Sequence, residues 1–267
     1  MTATILLSSG RVSTQSIYNA ISNSEFSGVI EHEPIKAQYR PNVVLRNPRR
    51  ANRLAKINIH VSNKLAEIDD LIARDQKYVS VGWTNYSWAD HFLNRWGDKV
   101  TFAALVRCPY ETSASLLTHK FFLGRTDLFA RRAIINDSCN VFYKDLIEIY
   151  GTFTPLEKLL FHWVELYRYV IDFCNENDVK IWRFEDIRSN DEEWGKFIYA
   201  LCGSKVDANS KDRTDRFKRK ISVDVDFSVR EELSLLCKDI CTELGYSPDF
   251  VSGLDDKAEK LRAKYIA

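Results

Sequence analysis

Residues 4–22 read TILLSSGRVSTQSIYNAIS, and three kinds of local structure follow one another in this stretch. Thr4 to Leu7 is a short run with β propensity, Ser8 to Ser13 is polar and small, and Thr14 to Ser22 favours a helix. A strand, a tight loop and a helix in this order present the free N–H groups of a helix N-terminus beside the end of a strand. The stretch therefore predicts an α/β fold and a place for an anion.

Four more segments predict strands. Val100 to Val106 (VTFAALV) is an unbroken apolar run, which is typical of a strand buried on both faces. Three shorter runs are Gly28 to Glu31, Lys77 to Gly82 and Val179 to Phe184. Strands that alternate with helices predict an α/β fold with a central parallel sheet flanked by helices on both faces. Ligands of such folds bind beyond the carboxyl ends of the strands.

Helices are predicted between the strands. Residues 49–74 predict one long helix, since their apolar side chains recur at steps of three and four. These side chains are Leu54, Ile57, Val61, Leu65, Ile68 and Ile72. Pro109 is expected to open a helix through about Phe122, and Thr154 and Pro155 to start another that runs to about Asn175.

Length and composition indicate a globular protein with a single domain over residues 1–267. Lys and Arg number 38 against 37 Asp and Glu, so the net charge of +1 predicts no nucleic-acid partner. The chain shows no signal peptide and no run of about 18 apolar residues, so we expect a cytoplasmic protein without a membrane span.

The cysteine pattern argues against disulfides and metal. The six cysteines are Cys108, Cys139, Cys174, Cys202, Cys237 and Cys241. None form a Cys-x-x-Cys pair, so buried thiols are expected. Zinc needs clustered ligands, and none appear in the sequence, so no metal site is predicted.

The loop after the first strand is the first candidate ligand site. Ser9, Ser13, Thr14 and Ser16 offer hydroxyls beside the helix N-terminus, and Arg11 adds a planar cation suited to phosphate or sulfate. The loop is not a Walker loop, because Gly-x-x-x-x-Gly-Lys-Ser/Thr is absent. Small hydroxyl residues before a helix also serve as simple caps, and that alternative stays open.

The segment after the fourth strand is the second candidate. Arg107 closes a buried strand, where a charge needs a partner, and Ser115 follows about two helical turns later. An anion beside the strand end would contact both side chains. The alternative is that Arg107 pairs with a carboxylate such as Glu185 or Asp186.

These segments together resemble the sulfotransferase superfamily. Arg107, Pro109 and Ser115 resemble the motif that holds the 3′-phosphate of the donor, phosphoadenosine phosphosulfate. The run Arg11 to Gln15 resembles the 5′-phosphosulfate loop, commonly Lys/Arg-Ser-Gly-Thr-Thr, and Phe184 to Asp186 is similar to a Tyr-Glu-Asp segment. The resemblance covers residues 4–22, 28–34, 100–120 and 179–187, in the family's order. The departures are Ser13 for Gly, Gln15 for Thr, Cys108 for Asp and Phe184 for Tyr.

The resemblance implies a P-loop NTPase-like three-layer sandwich with extra helices, and a donor site without metal. It implies that Arg11 stabilises charge at the bridging oxygen. It also implies that the loop holds the 5′-phosphosulfate through Val12, Ser13, Thr14, Gln15 and Ser16, mainly by main-chain N–H groups and the Thr14 hydroxyl. Arg107 and Ser115 would hold the 3′-phosphate. The family's late Arg-Lys-Gly segment has no match, and a basic stretch at 204–220, with Arg213, Arg216, Lys218 and Arg219, is either its substitute or a solvated loop.

An acceptor hydroxyl needs a general base, and the resemblance favours Glu33 after the second strand, with His32 next. His91 and His119 are weaker alternatives. Trp83, Asn85 and Tyr86 follow the third strand and are expected to line the acceptor cleft. Trp88, like Trp83, would stack on a sugar or an aromatic ring, or pack in the core.

The sequence therefore predicts a sulfotransferase acting on a hydroxyl of a small-molecule or glycan acceptor, with a carbohydrate as one candidate. One alternative is a P-loop-like nucleotide-dependent phosphotransferase, which the missing Walker lysine and Mg²⁺-binding Asp motif oppose. Another is a non-catalytic nucleotide-binding protein on the same fold. The sequence does not predict an oligomeric state.

Overall fold

A computed structural model describes residues 2–124, 127–205, 221 and 225–265. Its centre is a parallel sheet of five strands in the order β2-β3-β1-β4-β5. The strands are β1 (Ala3–Ser8), β2 (Val29–His32), β3 (Tyr78–Val81), β4 (Val100–Val106) and β5 (Ile181–Arg183). The α/β architecture predicted from the sequence is therefore confirmed.

The strand register brings the carboxyl ends of β1 and β4 side by side. Ala3 lies opposite both Tyr78 of β3 and Val100 of β4, and Ser8 lies opposite Leu105. All the ladders are parallel, so the strands end at one edge of the sheet. This edge carries the loops that follow Ser8 and Val106.

Helices make up most of the remaining described chain. They are α1 (Thr14–Ser22), α2 (Pro41–Val44), α3 (Pro48–Ile57), α4 (Ile59–Ala73), α5 (Ala89–Trp96), α6 (Pro109–Leu117), α7 (Leu128–Ala133), α8 (Asp145–Ile149), α9 (Pro155–Glu176), α10 (Phe184–Ser189), α11 (Asp191–Cys202), α12 (Glu231–Glu243), α13 (Pro248–Ser252) and α14 (Leu254–Tyr265). No helix in the described ranges is long and apolar enough to cross a membrane.

Successive residues of β1 point to opposite faces of the sheet, and each face has its own core. Leu6 packs with α1 and α11 through side chains that include Ile17 and Phe197. Ile5 and Leu7 belong to a larger core on the other face, where α4, α5, α6, α9 and α12 bury their apolar sides. Helices therefore cover both faces and give three layers, as predicted.

The long helix expected over residues 49–74 is broken at Asn58, and this prediction is wrong in that respect. Asn58 has an extended backbone (φ −91°, ψ 108°), and its side chain accepts hydrogen bonds from the N–H groups of His60 and Val61. Asn58 thus caps α4, which asparagine does well. The break turns Ile57 outward, where it is 67% exposed, while Val61 lies in the core.

The predicted start of α9 is correct, whereas the predicted end of α6 is not. The capping box of Thr154 and Glu157 begins α9, as Thr154 and Pro155 predicted. The helix that Pro109 opens ends at Leu117 rather than Phe122, and Lys120 (φ 65°) and Phe122 (φ 60°) take left-handed conformations instead. The six cysteines are free thiols and all but Cys139 are buried, in agreement with the sequence.

Candidate active site

The loop after β1 is shaped by left-handed backbone at Gly10 (φ 76°), Arg11 (φ 58°) and Ser13 (φ 60°). Gly10 also packs closely on Trp83, because a Cβ at this position would lie 3.0 Å from the Cβ of Trp83. A side chain at position 10 is therefore disfavoured by both conformation and space. The loop turns tightly enough to bring Arg11 back over the strand ends.

Tyr167 of α9 anchors the loop from inside the protein. Its hydroxyl accepts a hydrogen bond from the Ser9 N–H (3.4 Å), lies 3.0 Å from Ser9 Oγ and donates to the main-chain oxygen of Leu105 (2.9 Å). Burial raises the pKa of the Tyr167 phenol, so the group stays a neutral donor. The loop after β1 and the end of β4 are thus tied to one side chain.

Arg11, Arg107 and Ser115 meet at this edge. Arg11 Nε donates to Ser115 Oγ at 2.9 Å, and Arg107 Nη1 donates to the main-chain oxygen of Arg11 at 2.8 Å. The two candidate ligand segments, 96 residues apart in sequence, are therefore in direct contact. Two guanidinium groups and a nearly buried hydroxyl form a cationic corner beside the start of α1.

Arg107 pairs with Glu111, which lies in the first turn of α6. Its Nε and Nη2 lie 3.3 and 2.8 Å from Glu111 Oε2, and its guanidinium carbon lies 4.9 Å from the ring centroid of Phe184. Burial acts to raise the pKa of Glu111, but the charge and hydrogen bonds of Arg107 outweigh it and hold that pKa below its ordinary value. Glu111 is therefore a carboxylate at the Arg107 side of the cationic corner.

Arg107 thus pairs with a carboxylate, as the alternative interpretation expected, but the partner is Glu111, and the two carboxylates named from the sequence are engaged elsewhere. Glu185 accepts from the Cys108 N–H and from the Tyr246 hydroxyl, each at 2.9 Å. Asp186 pairs with Arg183 at 2.6 Å. Glu185 thus fixes the turn that leads from β4 into α6, and leaves Arg107 facing the loop after β1.

The first turn of α1 carries main-chain N–H groups without helical partners and the hydroxyl of Thr14, a buried residue. Ser13 is the N-cap residue, and its side chain makes no capping hydrogen bond, so it is not the simple cap that the alternative interpretation required. Thr14 Oγ1 lies 3.0 Å from His32 Nε2 of β2. Val12 is fully buried, and the exposed Gln15 side chain bonds Asn19 at 3.1 Å. Ser16 is half-buried.

His32 and Glu33 lie at the end of β2, on the same sheet edge. Glu33 Oε1 is 4.0 Å from His32 Nε2, and each side chain is about a quarter exposed. Burial lowers the pKa of His32, against the opposing effect of Glu33 and with a smaller contribution from Lys36. Glu33 has a left-handed backbone (φ 52°) that packs on Gly82, where a Cβ would come within 2.9 Å of the Glu33 Cα.

The residues expected to line an acceptor cleft after β3 divide into two groups. Trp83 is half-buried and packs on Gly10. Asn85, Tyr86 and Trp88 lie in the core instead, where Asn85 Nδ2 donates to the main-chain oxygens of Leu6 (3.1 Å) and Ser80 (3.2 Å). The Asn85 amide therefore links β1 to β3, while Tyr86 and Trp88 are packed inside the protein.

The weaker candidates lie on or after other helices, or outside the described residues. His91 is on α5, with its Nδ1 3.1 Å from Asn52 Oδ1, and His119 follows the end of α6. Arg213, Arg216, Lys218 and Arg219 lie outside the described residues. Within the described ranges, no group of three or more His, Cys, Asp or Glu side chains is arranged to hold a metal ion.

This chain was compared with known proteins by sequence and by structure, and the matches come from the comparison of structures. No family model matches this chain, and no curated protein matches its sequence. The crystal structure of a sulfotransferase from Alicyclobacillus acidocaldarius aligns with a TM-score of 0.47 at 14% identity, over 91% of this chain and 94% of that one. A sulfotransferase domain from the curacin biosynthetic pathway aligns with a TM-score of 0.45 at 13% identity, over 92% of this chain and 99% of that one.

Proposed function

We propose that this chain is a sulfotransferase that moves a sulfuryl group from 3′-phosphoadenosine 5′-phosphosulfate to an acceptor hydroxyl. The observation that carries the proposal is the contact between Arg11, Arg107 and Ser115, at 2.9 and 2.8 Å, beside the start of α1. Two cations and a hydroxyl at the carboxyl ends of adjacent parallel strands suit a ligand with two separate anionic groups.

The 5′-phosphosulfate is assigned to the start of α1. The main-chain N–H groups from Ser13 to Ser16 belong to the first helical turn, where they lack helical partners and favour an anion. The Thr14 hydroxyl and the Arg11 guanidinium add side-chain donors. Val12 and Gln15 would contribute main chain only, because one side chain is buried and the other is turned to Asn19.

The 3′-phosphate is assigned to Arg107 and Ser115. The Arg107 guanidinium lies over the Phe184 ring, which limits its rotation, and its Nη1 donates to the main-chain oxygen of Arg11 in the loop. Ser115 Oγ already lies within hydrogen-bond distance of one guanidinium, Arg11. A 3′-phosphate is the group that separates this donor from ATP and ADP, so these two residues would determine nucleotide specificity.

In the transfer step, the acceptor oxygen attacks sulfur while the bond from sulfur to the 5′-phosphate oxygen breaks. Negative charge grows on the leaving adenosine 3′,5′-bisphosphate, and Arg11 would stabilise it. The acceptor proton would pass to Glu33, which takes precedence over His32 because His32 Nε2 is hydrogen-bonded with Thr14. The acceptor is proposed to be a small-molecule or glycan hydroxyl, with carbohydrate as one candidate.

A turnover assay with sulfur-labelled donor tests the proposal. The wild-type protein is incubated with donor and a panel of small-molecule and glycan hydroxyls, and both labelled product and bisphosphate are measured. Arg11→Ala should lower the rate on the order of 100-fold, as the loss of a donor to a developing charge does. Arg74→Ala, which removes an exposed arginine paired with Asp70, should leave the rate unchanged.

Three results would contradict the proposal. A donor that binds and never loses its sulfuryl group would indicate a non-catalytic nucleotide-binding protein. Mg²⁺-dependent transfer of phosphate from ATP would indicate a phosphotransferase. Equal rates for the wild type and Arg11→Ala would remove Arg11 from the proposed mechanism.

A further inference from the structure

Glu111 already accepts hydrogen bonds from two guanidinium nitrogens of Arg107, the residue proposed to bind the 3′-phosphate. Its Oε2 accepts from the edge formed by Arg107 Nε and Nη2, while Arg107 Nη1 donates to the main-chain oxygen of Arg11. The Glu111 side chain is 34% exposed and that of Arg107 only 11%. The more exposed carboxylate therefore shields the less exposed cation, and an incoming phosphate meets a negative charge at Arg107.

The C-terminal helix offers Glu111 other cations. Helix α14 packs against α6 and brings Lys257 Nζ to 3.7 Å from the sulfur of Cys108, the residue that follows Arg107. Burial acts to raise the pKa of Glu111, and Arg107, Lys257 and Lys264 together lower it below its ordinary value. The charges of Lys257 and Lys264 thus act on the Glu111 carboxylate in addition to that of Arg107.

We propose that Glu111 is an exchangeable counterion of Arg107, which a 3′-phosphate displaces toward Lys257 and Lys264 of α14. The inference rests on the proposed function, since it concerns the same 3′-phosphate. Glu111 competes with the phosphate for Arg107, so it weakens the binding of both the donor and the bisphosphate product. A weaker product complex releases its bisphosphate faster, which favours repeated turnover.

Removing the Glu111 charge should therefore strengthen binding. A unit charge within a few ångströms of a phosphate interacts strongly at a protein surface, and the partial exposure of Glu111 reduces the effect. We expect about a tenfold lower Kd for adenosine 3′,5′-bisphosphate in Glu111→Gln. Adenosine 5′-monophosphate, which lacks the 3′-phosphate, should change less than about twofold, because it makes no contact with Arg107.

The experiment is calorimetric titration of both nucleotides into the wild type, Glu111→Gln, Glu111→Ala and a control. The control is Asp172→Asn, because Asp172 also pairs with an arginine four residues away, Arg168, at 2.6 Å in a partly buried setting. Tighter bisphosphate binding in both Glu111 variants, with the control unchanged, supports the proposal. Thermal unfolding of each variant shows that the comparison is between equally folded proteins.

The opposite sign would overturn the inference. If Glu111 only orients Arg107, both variants would bind the bisphosphate more weakly than the wild type. Equal strengthening for the monophosphate would also overturn it, since the effect would then not depend on the 3′-phosphate. A wild type that does not prefer the bisphosphate to the monophosphate would instead contradict the proposed function, and the inference with it.

Discussion

The substitution His162→Asn should make the stability of the protein less sensitive to acid. His162 lies in α9 and is fully buried, and its Nδ1 accepts a hydrogen bond from the Ile135 N–H at 3.2 Å. An accepting Nδ1 carries no proton. Burial lowers the pKa of His162 from its ordinary 6.5 to about 3. An asparagine places an amide oxygen near the position of Nδ1, so it can accept the same bond.

The size of the effect follows from proton linkage. In the unfolded chain His162 takes up a proton near pH 6.5, and in the folded protein only near pH 3. Between these values the unfolded state binds more protons, so the free energy of unfolding falls as the pH falls. Because His162 stays neutral in the folded state, it lowers the free energy of unfolding by about 0.1 kcal/mol at pH 7.5 and by about 2 kcal/mol at pH 5.

Urea unfolding followed by tryptophan fluorescence measures this difference. The free energy of unfolding is determined at pH 7.5 and pH 5.0 for the wild type and His162→Asn. Burial also lowers the pKa of His32 and His91, but both proteins contain them, so their contributions cancel. The wild type should lose about 2 kcal/mol more than the variant over this range. Equal losses in the two proteins, within about 0.5 kcal/mol, would show that burial does not keep His162 neutral in the folded protein.

Two other substitutions test the anchoring of the loop after β1. Tyr167→Phe removes the buried hydroxyl that contacts Ser9 and Leu105, and should lower the free energy of unfolding by about 1–3 kcal/mol, measured in urea; a loss below about 0.5 kcal/mol would show that the hydroxyl is not needed. Gly10→Ala adds a Cβ 3.0 Å from that of Trp83 at a φ of 76°. It should destabilise the protein by at least about 1 kcal/mol, whereas an unchanged melting temperature would mean that the loop relaxes freely.

The central strands were predictable because burial on both faces leaves a local signal. The continuous apolar run from Val100 to Val106 has the same bounds as β4, and Thr4–Leu7 falls one residue short of β1 at each end. The break between α3 and α4 was not predictable from periodicity, since Ile57 and Val61 keep helical spacing across it. The Asn58 side chain decides it by satisfying two N–H groups of α4.

The sequence was sufficient to predict the basic residues of the candidate site, but not the side chains that hold them in place. Arg11, Arg107 and Ser115 follow strands whose ends were identifiable, so the sheet topology brings them together. Glu111 was missed, because Arg107 precedes the helix predicted from Pro109 and the spacing of four between them carries no helical pairing signal. Tyr167 carried no such signal, because 158 residues separate it from Ser9.

The roles predicted for aromatic and amide groups after β3 were harder to assign. A single sequence does not distinguish an aromatic residue that lines a cleft from one that fills a core. Tyr86 and Trp88 fill the core, and Trp83 is half-buried against Gly10. The difference depends on how β1 and β3 pack, which is a property of the whole sheet.

Whether this chain binds a nucleotide through its 3′-phosphate is tested most directly by comparing the binding of adenosine 3′,5′-bisphosphate with that of ADP and ATP. Titrations without Mg²⁺ are made with the wild type and Arg107→Ala. The wild type should bind the bisphosphate at least about tenfold more tightly than ADP, and Arg107→Ala should lose this preference. Equal affinity of the wild type for the bisphosphate and ADP, or binding that requires Mg²⁺, would contradict this prediction.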